Sequence, residues 1–202
     1  GLLSSTGRDA ITCLIPTKIA LLTTGDELIA PGHVLRVGQI YNSNGPLLQA
    51  LLAQAGPHEV TVAHAGDSER HISAWLEQNL GHVDLIMTTG AVSAGQKDQL
   101  PELFQRHGVQ TLFHGVNIKP GKPVFCGRFE PGTVSVPANA LRNTMVLGLP
   151  GNPISVWVTF QLFARPLLEW LCGSPREQRW ISARLAKSGN FQDSRLTFWP
   201  GR

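Results

Sequence analysis

Ile86-Met87-Thr88-Thr89-Gly90-Ala91-Val92-Ser93-Ala94-Gly95-Gln96-Lys97-Asp98 joins a buried strand to a helix through a glycine-rich loop. The apolar run Val83 to Met87 predicts the strand, and two small polar residues then lead to Gly90 and Gly95, with Ser93 between them. Glycine lets backbone N–H groups turn toward a ligand without a Cβ clash, so such a loop can cradle an anion. Asp98 stands where the next helix begins, a carboxylate placed to hold a cation near that anion. The same residues also suit an ordinary turn of a doubly wound sheet, with Asp98 as a helix cap. The loop matches neither a Walker loop nor a dinucleotide fingerprint.

Upstream, Lys18 to Thr23 is a short apolar run of the kind that forms a buried parallel strand. It enters Thr24-Gly25-Asp26-Glu27-Leu28, a second strand-end loop with glycine and acids. Open parallel sheets bind ligands outside the carboxyl ends of their strands, so the two loops can face one crevice. Taken alone, Asp26 and Glu27 are better explained by a solvated turn. Asn44 is expected to cap a helix with Leu47, Leu48, Leu51 and Leu52 on one face, stopped by Gly56. Glu59 to Ala63 alternates as a strand does, and Asp67 or Ser68 starts a helix carrying Ile72, Trp75 and Leu76, ended by Gly81. Residues 1 to 17 read as a connection, with Asp9 to Ile15 a candidate strand closed by Pro16.

Downstream, Leu100, Leu103 and Phe104 mark a helix that runs until Gly108, and Val109 to Val116 reads as a strand. Lys119-Pro120-Gly121-Lys122-Pro123 then holds two lysines between prolines, a stiff loop suited to a polyanion. A basic surface turn is the alternative, but such turns seldom frame a lysine pair with two prolines, which favours the site. Pro123 to Gly127 and Thr144 to Leu149 form an expected strand pair. The second of them runs into Leu149-Pro150-Gly151-Asn152-Pro153-Ile154-Ser155 and a long apolar helix. A helix start favours anionic groups, and Asn152 fits either a cap or a ligand contact. After Pro175, alternation in Trp180 to Leu185 and then Leu196 to Trp199 reads as the opening hairpin of a β domain.

Composition narrows the classes. The 202 residues carry 17 basic and 14 acidic side chains, a net charge of +3, with no basic run interleaved with aromatics, which argues against nucleic acid. Cys13, Cys126 and Cys172 lie far apart without CxxC spacing, as buried reduced thiols of a cytoplasmic protein would. Seven histidines show no metal-ligand spacing. No apolar run approaches the roughly 20 residues that cross a bilayer, and the start lacks the pattern of a signal peptide.

Together, Thr24-Gly25-Asp26-Glu27-Leu28, the loop of residues 89–98, Lys119-Pro120-Gly121-Lys122-Pro123 and Leu149 to Ser155 resemble the molybdopterin-binding domain of the molybdopterin molybdenumtransferase family, which includes the E domain of gephyrin. The resemblance covers about residues 18 to 172. It implies a three-layer α/β/α sandwich with a mostly parallel sheet over residues 18–174, preceded by the end of a linker region (1–17) and followed by the start of a small β domain (175–202). The implied reaction inserts molybdate into adenylylated molybdopterin and releases AMP, with Mg²⁺. The resemblance assigns Thr24, Gly25, Asn44, Gly90, Ser93, Gly95, Pro150, Gly151, Asn152 and Pro153 to the pterin or phosphate. It assigns Asp26, Glu27 and Asp98 to Mg²⁺, and Asp98, Glu27, Lys119 and Lys122 to the chemistry, the lysines as an anion clamp. One departure is Gly90-Ala91 where the family commonly has Gly-Gly, a change that a negative φ at Ala91 accommodates. The family also implies a homodimer whose further domains complete the site, so this chain is expected to be a piece of such a protein. A molybdopterin adenylyltransferase, which shares the domain, and a non-catalytic pterin-binding scaffold are the alternatives.

Overall fold

The computed structural model describes residues 1–90, 100–132, 141–177, 180–184, 186 and 194–199. A single helical turn, α1 (Leu2–Ser5), opens the chain. The expected strand at Asp9–Ile15 does not form: these residues are exposed and have no regular structure. Both sides of the next strand are already paired, with His58–Ala65 and Leu85–Thr89, so this segment does not extend the sheet beside it. That next strand, β1 (Thr17–Thr24), is buried along almost its whole length, as its unbroken apolar run predicts.

Two short strands, β2 (Leu28–Ile29) and β3 (Ile40–Tyr41), pair in parallel and close the loop after β1. Helix α2 (Asn44–Ala55) follows and buries Leu48, Leu51 and Leu52. Asn44 is not its cap: it is the first helical residue, and Ser43 before it makes no capping bond. Asn42 performs that task, its Oδ1 accepting from the Gly45 N–H at 3.0 Å. Strand β4 (His58–Ala65) is an edge strand, which explains its alternating exposure. Helix α3 (Glu69–Asn79) begins after Ser68 and buries Ile72 and Leu76, with Trp75 packed partly against the core.

Strand β5 (Leu85–Thr89) starts two residues later than the apolar run suggests and includes both threonines. Helix α4 (Leu100–Arg106) buries Leu100, Leu103 and Phe104. Then come β6 (Gln110–His114), the short β7 (Ile118–Lys119), and the antiparallel pair β8 (Phe125–Phe129) and β9 (Thr144–Leu149). The final helical stretch is α5 (Pro153–Thr159), a π-helical turn (Phe160–Ala164) and α6 (Arg165–Leu171). The widened turn sits just ahead of Pro166, which has no N–H to continue the ladder. Trp180 to Arg184 form no strand, so the expected hairpin is absent among the described residues. Instead β10 (Leu196–Thr197) pairs in parallel with β7.

The main sheet has the order β4-β1-β5-β9-β8-β6, parallel except for β8. One face of the sheet packs on α2 and the α5–α6 stretch through Leu48, Leu52, Val156, Phe160 and Leu168. The other packs on α3 and α4 through Ile72, Leu76, Leu103 and Phe104. This is the expected three-layer arrangement. The connections leaving β1 and β5 go to opposite faces, so the crevice between these strands is the topological switch point. Among the described residues no helix is long and apolar enough to cross a membrane.

The thiols are free but only partly as expected: Cys126 is buried, Cys172 is half-buried, and Cys13 is exposed. Burial pushes the Cys126 thiol up to about 11.

Two histidines are expected to make the fold acid-sensitive. Among the described residues both ring nitrogens of His58 are buried without a partner, and burial lowers its pKa. Burial also lowers that of His107, whose Nε2 lies 2.7 Å from Ser73 Oγ; nearby Glu77 works against the shift. The unfolded chain therefore binds protons at these sites before the folded chain does. Stability is unaffected above the ordinary histidine range, and is lost as pH falls through that range toward the lowered folded values. Urea midpoints should fall between about pH 7.5 and about pH 5.5, and His58→Leu should flatten the profile. An unchanged slope in that variant would remove His58 from the explanation.

Candidate ligand site at the switch point

The tripeptide Thr-Thr-Gly ends both β1 and β5, as Thr23-Thr24-Gly25 and Thr88-Thr89-Gly90. The strands are neighbours, with Thr23 opposite Thr89. The two glycine loops therefore leave the sheet side by side. Gly90 has φ +95, and a Cβ there would lie 2.7 Å from the Thr24 carbonyl oxygen and 2.8 Å from Thr24 Oγ1. Only glycine permits both the backbone angle and the contact. The loop after β9 joins them: a Cβ on Gly151 would come 3.7 Å from Gly90 Cα, an ordinary contact.

Side chains tie the three loops together through Thr89. Thr24 Oγ1 donates to the Thr89 carbonyl at 3.4 Å, and Thr89 Oγ1 donates to the Pro150 carbonyl at 3.0 Å. Asn44 Nδ2 donates to Thr89 Oγ1 at 3.1 Å and to the Gly151 carbonyl at 2.8 Å. A carbonyl can only accept, so this geometry settles which end of the Asn44 amide is nitrogen. Among the described residues its Oδ1 is left buried with no hydrogen-bond partner, as is the hydroxyl of Thr88.

A second network holds α2 to the strand end. Asn42 Nδ2 donates to Thr23 Oγ1 at 2.8 Å, and Thr23 Oγ1 lies 3.1 Å from His64 Nδ1. The site residues named from sequence thus divide. Thr24, Gly25, Asn44, Gly90, Pro150 and Gly151 converge at the switch point. Asn152 caps α5, its Oδ1 accepting from Ile154 and Ser155 N–H at 3.0 and 3.3 Å, with Pro153 as the first helical residue. Of the two roles open for Asn152, the cap is formed by its Oδ1, which leaves its Nδ2 for the other.

Asp26 and Glu27 are exposed at the rim. Asp26 Oδ1 accepts from the Asp67 N–H at 3.0 Å, which links the β1 loop to the end of β4. The Glu27 carboxylate folds back over Gly25, 2.7 Å from where a Cβ would be. Among the described residues no three His, Cys, Asp or Glu side chains gather to hold a metal ion. Lys119 and Lys122 are both exposed, on a loop whose Gly121 (φ +107) presses against α5: a Cβ there would lie 2.5 Å from Thr159 Cγ2. Ser93, Gly95 and Asp98 lie outside the described residues.

Thr89, Thr23, Asn42 and Asp67 are structural members of this site that the sequence reading did not single out. The repeated Thr-Thr-Gly was the available signal for the first two. For Asn42, the signal was an asparagine two residues ahead of Asn44.

The fold is a doubly wound α/β domain in which three strand-end loops meet at the topological switch point. Residues 20–170 match the family described as "Probable molybdopterin binding domain", and the chain belongs to that family. It is 34% identical over 186 residues to a protein named molybdopterin molybdenumtransferase 2 from Mycobacterium tuberculosis, covering 89% of this chain and 42% of that protein. It is also 34% identical over 186 residues to the molybdopterin molybdenumtransferase of Synechococcus elongatus, covering 91% of this chain and 43% of that protein. Among solved structures, a molybdopterin biosynthesis protein from Pyrococcus horikosii superposes with a TM-score of 0.69 at 28% identity, over 86% of this chain and 40% of that one. The chain thus spans less than half the length of these relatives.

Proposed function

We propose that this chain is the ligand-binding core of a molybdopterin molybdenumtransferase, which inserts molybdate into adenylylated molybdopterin and releases AMP. The observation that carries the reading is the convergence of Thr24, Asn44, Gly90 and Gly151 at the switch point, within the residues that match the family. The names of the relatives support the reaction class.

In this reading the backbone around Gly90, with Ser93 and Gly95, receives the phosphate or pterin, because only glycine lets the chain approach so closely. Thr24, Gly25, Asn44, Pro150 and Gly151 hold the walls in register, while Asn152 and Pro153 fix the start of α5. Lys119 and Lys122 neutralise an incoming oxyanion. Asp26 and Glu27 supply hard oxygen donors, the class that Mg²⁺ requires, and Asp26 retains one carboxylate oxygen beyond its bond to Asp67. With Asp98 they would hold Mg²⁺, which supplies charge neutralisation at the phosphoanhydride. Glu27 and Asp98 are also proposed to act at the reacting centre. The complete protein is proposed to be a cytoplasmic homodimer whose other domains finish the site.

Anaerobic calorimetry of the chain with adenylylated molybdopterin and Mg²⁺ tests the binding role. Saturable binding is expected, and a folded chain that binds nothing would reject the site as a self-sufficient pocket. In the complete protein, addition of molybdate should trigger AMP release. Binding without that release would leave a scaffold, and ATP-dependent adenylylation of the pterin would point to the adenylyltransferase.

A further inference from the structure

The lysine loop is held from two sides, and one of them is a segment nearly eighty residues away in sequence. On the first side Gly121 presses against Thr159 of α5. On the second, β10 runs parallel to β7, with Leu196 opposite Ile118 and Thr197 opposite Lys119. The Phe198 N–H extends this ladder by donating to the Lys119 carbonyl at 2.7 Å. The grip is therefore on the backbone of the first lysine itself.

Burial does not explain why the segment lies there. Leu196 is 65% exposed and Trp199 is 68% exposed. Phe198 faces Trp180 at a centroid distance of 6.4 Å, and both rings line a cavity of about 400 Å³ against Arg165 and Glu169 of α6. The ladder to β7 is what fixes the register of this segment against the lysine loop. A hydrogen-bonded ladder transmits position well, because slipping it by one residue breaks every bond at once.

We propose that residues 194–199 are a strap that sets the position of Lys119 and Lys122, with Phe198 as the positioning residue through its backbone N–H. The functional consequence rests on reading these lysines as an anion clamp. The strap couples the region after α6 to the ligand site without touching the ligand.

Phe198→Pro deletes the donor while suiting an extended edge position, so the fold should survive. Phe198→Leu keeps the donor and serves as the control. Hydrogen exchange of the 116–122 peptide should quicken roughly tenfold or more in the proline variant alone. Affinity for adenylylated molybdopterin, by calorimetry, should drop several-fold in the same variant. Unchanged exchange in Phe198→Pro would overturn the strap. Equal acceleration across β1 and β5 would also overturn it, because the segment would then be a general support. Faster local exchange with unaltered affinity would uphold the strap and instead reject the lysines as part of the site.

Discussion

Gly90→Ala should destabilise the folded chain by about 2–4 kcal/mol and abolish measurable ligand binding. Two costs combine. Holding an L-residue at φ +95 is unfavourable by roughly 1–2 kcal/mol. The new methyl would also stand 2.7 Å from the Thr24 carbonyl oxygen, a backbone atom of a buried strand that cannot swing away. The loop must move, and with it the crevice wall. Gly151→Ala is the internal control, since among the described residues its methyl meets only Gly90 Cα at 3.7 Å. That variant should unfold within about 1 kcal/mol of the parent. Denaturant midpoints decide the matter, and equal midpoints for the two variants would mean that the Gly90 loop yields without cost.

Asn44→Asp should be the second severe change, although it alters one atom. An ionised Asp only accepts, so the bonds to Thr89 Oγ1 and the Gly151 carbonyl lose their donor. A carboxylate would face a carbonyl oxygen at a position that is 8% exposed. The start of α2 favours a negative charge there, but by about 1 kcal/mol at most in an ordinary setting. Leaving a buried group unsatisfied costs about 1–3 kcal/mol, and more for a charge, so a net loss of roughly 2–4 kcal/mol is expected. Protonation restores one donor, so the defect relative to the parent should narrow as pH falls. A parent-like midpoint near neutral pH would show that Asn44 does not hold the loops.

Sheet and layers were legible because burial writes itself into sequence plainly. Lys18 to Thr23 and Thr144 to Leu149 are short runs that can only be strands enclosed on both faces, and they are β1 and β9. Alternation proved a weaker guide. In Glu59 to Ala63 it marked an edge strand, whereas in Trp180 to Leu185 the same pattern marks no strand among the described residues. The difference lies in whether a partner ladder is present, which a local window does not contain. The meeting of the loops was legible through Gly25, Gly90, Gly151 and Asn44, but the hydrogen bonds that Asn44 makes were not. Whether an asparagine near a helix start caps the helix or reaches across to another loop depends on contacts 45 and 107 residues away.

The ties at Thr89 and Asn44 end on the carbonyls of Pro150 and Gly151, atoms that every amino acid possesses. The grip is therefore strict at one end and indifferent at the other. Side chains in the loop after β9 can drift, or be redesigned, without loosening the crevice as long as the backbone path is kept. Thr89 and Asn44 have no such freedom. Any effort to reshape these loops has its room for variation after β9, and its fixed points on β5 and α2.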